Sequence, residues 1–131
     1  MTVELELLAA SVVLGIAHIV VASHLQSWQR GYRWTASSRE QPVAPLTGIA
    51  GRAERTLRNY LETFPLFAAA ILAAAVTGTH NGLTIWGAHC YFWGRLVYAI
   101  VYLADVALLR SLVWNVPTIG ILMIVAGLFL V

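Results

Sequence analysis

Arg52, Arg55, Asn59 and Glu62 are spaced so that a helix would carry them on one face. At 100° per residue they fall within an arc of about 80°. Arginines gathered in one stripe with an amide and a carboxylate suit a small anionic ligand with one or two carboxylates, because arginine grips carboxylates through paired N–H donors. A second set, Arg95, Tyr98, Tyr102 and Asp105, repeats the same i, i+3, i+7, i+10 spacing and again covers about 80°. Equal spacing on two separate segments predicts two faces that meet.

The elements that must carry these stripes belong to a membrane. The chain has 131 residues, 60% of them hydrophobic and 11% charged, where soluble domains carry about 25% charged residues. Four apolar stretches stand out, at 7–25, 61–77, 83–109 and 112–131. Each reaches the ~18 to 20 residues of a bilayer crossing, alone or with its polar flank. The expected fold is an all-α integral membrane protein, one domain over 1–131, with transmembrane helices at about 3–28, 48–79, 83–110 and 112–131. Glu4 and Glu6 stand where a signal peptide would have its basic region, so the first stretch is read as a mature helix.

All eight basic residues are arginines. Arg30, Arg33, Arg39, Arg52, Arg55 and Arg58 lie between the first two apolar stretches and Arg110 between the last two, whereas 78–82 contains none. The positive-inside rule then puts the first and third connections in the cytoplasm and both termini outside. The single cysteine, Cys90, excludes an intrachain disulfide and a multi-cysteine metal site. No metal is expected, and no nucleic-acid partner.

Depth makes the stripes costly. Glu62 stands eleven residues past Gly51, roughly 16 Å along a helix, and Arg95 fifteen before Arg110, roughly 22 Å. An intramembrane arginine costs about 2.5 kcal/mol or more without a partner. Glu62 is the natural partner for Arg95, and Asp105 for Arg55 or Arg58. His18 and His24, six apart, have no ligand spacing and are expected to be structural. Residues 35–51, with Pro42, Pro45, Gly48 and Gly51, form the one real loop. Thr47 is the expected N-cap of the following helix. Pro65 should loosen that helix one turn after Glu62, while Pro117 falls in the first turns of the last helix, where it is harmless.

The run Gly51-Arg-Ala-Glu-Arg55-Thr-Leu-Arg-Asn59-Tyr-Leu-Glu62-Thr-Phe-Pro65-Leu-Phe67, with Arg95-Leu-Val-Tyr98 and Tyr102, resembles the signature of the MAPEG family, the membrane-associated proteins of eicosanoid and glutathione metabolism. The chain is most similar to the short bacterial members, which implies a bacterial inner membrane. The resemblance further implies a homotrimer with glutathione bound between neighbouring subunits near the cytoplasmic face. Arg52, Arg55, Asn59, Arg95, Tyr98 and Tyr102 would line that site, with Glu62 on the ligand's amino group and the arginines on its carboxylates. Two positions depart from the eicosanoid-synthase branch. Thr63 replaces a tyrosine, and Leu109 stands where a thiolate-stabilising arginine is expected, with Arg110 one residue late. A local bend would bring Arg110 into place; Arg30 and Arg33 are the alternates.

Three classes of function follow. The first is a glutathione transferase or peroxidase acting on hydrophobic electrophiles, with Arg110 activating the thiol. The second is a glutathione- or lipid-binding membrane protein without turnover. The third, a small four-helix transporter centred on Glu62, ranks last, because arginines crowding that carboxylate would suppress proton or cation exchange.

Overall fold

The computed structural model describes residues 1–40 and 43–130, with backbone alone at 107 and 108. Pro42 and Val131, placed above in the loop and at the end of the last helix, lie outside the described residues. The helices are α1 (Val3–Arg30), α2 (Tyr32–Ala36), α3 (Gly48–Thr77), α4 (Gly82–Leu103) and α5 (Ala107–Phe129). Val3–Arg30, Gly48–Thr77 and Leu109–Phe129 are long and apolar enough to cross a membrane. The 22-residue α4 carries His89, Arg95 and three tyrosines among its apolar residues. Outward-facing Val13, Ile16, Ile19, Leu72, Val76, Ile119 and Leu122 are exposed on the single chain, which in a membrane is the surface that meets lipid or another protein.

The ends of α1, α3 and α4 are fixed locally. Thr2 accepts from the backbone N–H of Leu5 at the start of α1, and Glu4 and Glu6 occupy its first turn, where acidic groups oppose the positive end of the helix dipole. Gly31, at φ 94°, stops α1. Asn81 and Thr84 form a reciprocal capping box at the start of α4. Gly78, at φ 68°, ends α3 with Gly78 N–H on the Ala75 carbonyl and Thr79 N–H on that of Ala74, the paired bonds of a Schellman motif. Thr47 is the N-cap of α3, yet its side chain makes no cap bond. Its hydroxyl and carbonyl instead accept from Gln29 Nε2, and its N–H donates to Gln29 Oε1, tying α1 to α3.

The largest departure from the sequence expectation is the junction of α4 and α5. The third long helix does not run to 110; it stops at Leu103, and the next begins at Ala107. Asp105 takes the left-handed conformation at φ 61°. Its N–H bonds the Tyr102 carbonyl, and that of Val106 bonds Val101, which is again a Schellman pair. Asp105 is therefore a turn residue and leaves the stripe of Arg95, Tyr98 and Tyr102. Pro117 is correspondingly in the interior of α5, buried, rather than in its first turns.

Its place is explained by α4, the helix that packs most closely on α5. A Cβ on Gly94 would meet Pro117 Cδ at 2.9 Å, and one on Gly87 would meet the Gly120 carbonyl oxygen at 2.6 Å. Small residues bring these two backbones together, as between membrane helices generally. The rest of the core is aromatic and aliphatic: Phe67 stacks on Tyr91 at 3.9 Å, and Tyr60, Ile71 and Ile124 are buried around them.

Candidate functional site

The two stripes do face one another, across α3 and α4. Arg95 is 0% exposed, yet its acceptor is not a carboxylate. Its Nη1 donates to Asn59 Oδ1 at 2.6 Å, and its guanidinium lies 5.3 Å from the Tyr60 ring centre and 4.6 Å from that of Tyr98. The predicted pairing of Arg95 with Glu62 is not formed. Asn59, one turn earlier on α3, takes the inward position, and Glu62 lies exposed on the outer side of the helix. Among the described residues, Arg95 Nε and Nη2 have no acceptor.

Next along the stripe, Tyr98 and Tyr102 have ring centres 5.7 Å apart. The Tyr102 phenol accepts from Arg55 Nε at 3.0 Å. From the other helix, Arg110 comes over the same ring at 4.9 Å. The break at 104–106 makes this possible, because it resets the helical register and returns α5 alongside α4. Arg52 donates from Nε to the Leu103 carbonyl at 3.2 Å, so a cation satisfies one of the last carbonyls of α4 and favours the negative end of its dipole.

Asp105 does not pair with Arg55 or Arg58, as the turn holds it exposed beyond the end of α4. Arg58 pairs instead with Glu54, one turn away on α3, at 3.1 Å and with both side chains largely exposed. Of the alternates for thiol activation, Arg30 donates to the Ala44 carbonyl and lies 4.8 Å from the Trp34 ring centre, committed to the first loop, and Arg33 lies exposed on α2. The structure thus gathers Arg52, Arg55, Asn59, Arg95, Tyr98, Tyr102 and Arg110 along one α3–α4–α5 seam, with Glu62 on its outer edge.

Thr56 and Tyr60 escaped the sequence reading. Both are fully buried on α3 beneath the stripe, and Thr56 Oγ1 has no partner among the described residues. Tyr60 is bonded to the Ser11 carbonyl and sits 4.8 Å from His18, ring centre to ring centre. The signal was available: Tyr60, Phe67, Ile71 and Ala74 recur at helical spacing and mark the inward face that Arg95 must cross.

The seam holds four arginines, Arg52, Arg55, Arg95 and Arg110, with no carboxylate among their bonded partners in the described residues. The sequence profile described as the MAPEG family matches residues 7–130. The chain belongs to the MAPEG family. Its membrane character and its all-helical fold agree with that membership. A comparison with curated proteins returns no match.

Proposed function

We propose that this MAPEG protein is a glutathione-dependent transferase or peroxidase of the membrane, acting on hydrophobic electrophiles or peroxides. The observation that carries the proposal is the charge balance of the seam. Among the described residues, Arg95 is completely buried with two donor atoms unused, and Arg52, Arg55 and Arg110 join it without an acidic partner. A buried guanidinium such as that of Arg95 is costly until it is paired. A tripeptide thiol with two carboxylates and one ammonium supplies the missing anions, and Glu62 at the rim supplies a counter-charge for the ammonium.

All four long helices cross the membrane in this reading, α4 included, and the arginine-rich end faces the cytoplasm. Glu62 and Arg55 are exposed at the edge of the single chain, so the site is completed by a neighbouring copy in a homotrimer.

Arg110 activates the thiol. Its guanidinium favours the thiolate over the thiol, and each tenfold gain in thiolate corresponds to about 1.4 kcal/mol. Arg55, bonded to the Tyr102 phenol oxygen, leaves that hydroxyl's proton free to point toward the sulfur and donate a further hydrogen bond. The thiol proton passes to water. The sulfur then forms a bond to the electrophilic carbon as the leaving group departs with its electron pair. Lipid gives hydrophobic substrates a lateral approach.

The test is conjugation of a chromogenic electrophile by the purified protein. Arg110→Ala is expected to lower kcat by about 10² to 10³, the usual loss for one electrostatic stabiliser, while glutathione affinity changes less than fivefold. Equal rates in the two proteins would remove Arg110 from the mechanism.

A further inference from the structure

The opposite end of the bundle holds a second buried polar cluster. Gly78, which caps the end of α3, is nineteen residues beyond Asn59, roughly 28 Å away at helical rise. There Glu4 is 3% exposed. Its Oε2 meets His80 Nδ1 at 2.7 Å and accepts from the Thr84 hydroxyl at 2.9 Å. Its Oε1 has no partner among the described residues. Glu4 also forms part of the wall of a cavity of about 150 Å³, together with Leu5, Ile71, Ala74, Ala75 and His80.

Three features define what this cavity would take. A buried carboxylate needs its remaining lone pairs satisfied, and Oε1 calls for an N–H or O–H donor. The C-terminus of α3, at Ala74, Ala75 and Gly78, borders the cavity and adds the negative end of a helix dipole, which favours a cation. His80 can pair with Glu4 through Oε2, and none of the arginines falls in 1–6 or 78–84, so it is Oε1 that is left for a donor in the cavity. Leu5, Ile71, Ala74 and Ala75 supply the apolar wall, and Thr2 and Thr79 border it. At about 30 Å³ per water-sized group, the cavity admits about five heavy atoms.

We propose that this cavity binds a primary ammonium group carried on a two- or three-carbon chain, either a free alkylammonium or the headgroup of an aminophospholipid. The ammonium donates to Glu4 Oε1 after a small rotation of the carboxylate, and the methylene groups rest against Ile71, Ala74 and Leu5. The site is separate from the arginine seam and does not depend on its function.

The experiment titrates the purified protein, in micelles with choline headgroups, with ¹⁵N-ethylammonium followed by NMR. Saturable binding is expected, at least tenfold weaker in Glu4→Gln and in Ala75→Leu, which keeps the Glu4–His80 contact and adds bulk to the cavity wall. Tetramethylammonium, which has the charge but no N–H, should not compete. Competition by bicelles of phosphatidylethanolamine, but not of phosphatidylcholine, would identify a lipid headgroup as the source. Competition by neither would leave the free ammonium. Should Glu4→Gln fail to fold, Ala75→Leu and the competition arms decide. No saturable binding, or equal affinity in the folded variants, would overturn the proposal and leave a cavity that holds water only.

Discussion

Arg95 concentrates the physical chemistry of the chain at the scale of one residue. A fully buried guanidinium is tolerated here because Asn59 accepts one hydrogen bond and two tyrosine rings offer their faces, a cation–π arrangement that strengthens when water is excluded. Removing the amide should expose the cost. Asn59→Leu is expected to destabilise the folded protein by about 1 to 3 kcal/mol, the penalty for a buried donor left unmade, measured by thermal denaturation in detergent. An unchanged midpoint would mean that Asn59 does not support Arg95. The spacing of the two stripes made most of these residues legible in advance. The partner of Arg95 was not, because helical arcs of about 80° hold both Asn59 and Glu62 and cannot say which of them points inward.

At the scale of elements, the decisive feature is the turn at 104–106. Helix periodicity in 83–110 continues through it, and aspartate at the left-handed position announces a stop far less clearly than the glycine that ends α3. The sequence therefore predicts an α4 seven residues longer than the one that forms, with Asp105 on the stripe rather than in the turn. The same break puts Arg110 over Tyr102 from a different helix, which no single-helix register could reveal.

The pairing of α4 with α5 depends on glycine contacts that tolerate no side chain. Gly87→Ala places a methyl group 2.6 Å from the Gly120 carbonyl oxygen and is expected to cost about 1 to 3 kcal/mol, as over-packing generally does. Gly82→Ala meets nothing within 4 Å and should be close to neutral. Comparing the two midpoints of thermal unfolding checks this, and equal effects would contradict the described packing.

For the whole molecule, composition alone indicates a membrane, because a chain with 60% hydrophobic and 11% charged residues has too little polar surface to face water. The antiparallel bundle brings the end of α1, the start of α3, the end of α4 and the start of α5 to one pole. Gln29 and Thr47, and Arg55 and Tyr102, meet at that pole. Glu4, His80 and Thr84 meet at the other. One pole is thus cationic, which suits the cytoplasmic side. Assembly belongs to this scale as well: native mass spectrometry from detergent is expected to give three subunits, and a monomer that retains full activity would remove the shared site.

Calorimetric titration of glutathione into the purified protein and into Glu62→Gln decides whether the arginine seam is a ligand site. A saturable heat is expected for the native protein and at least tenfold weaker binding for the variant, because Glu62 is the carboxylate that would pair with the ligand's ammonium. No heat with either protein would contradict a glutathione site, and the arginine seam would then serve only to hold the helices together.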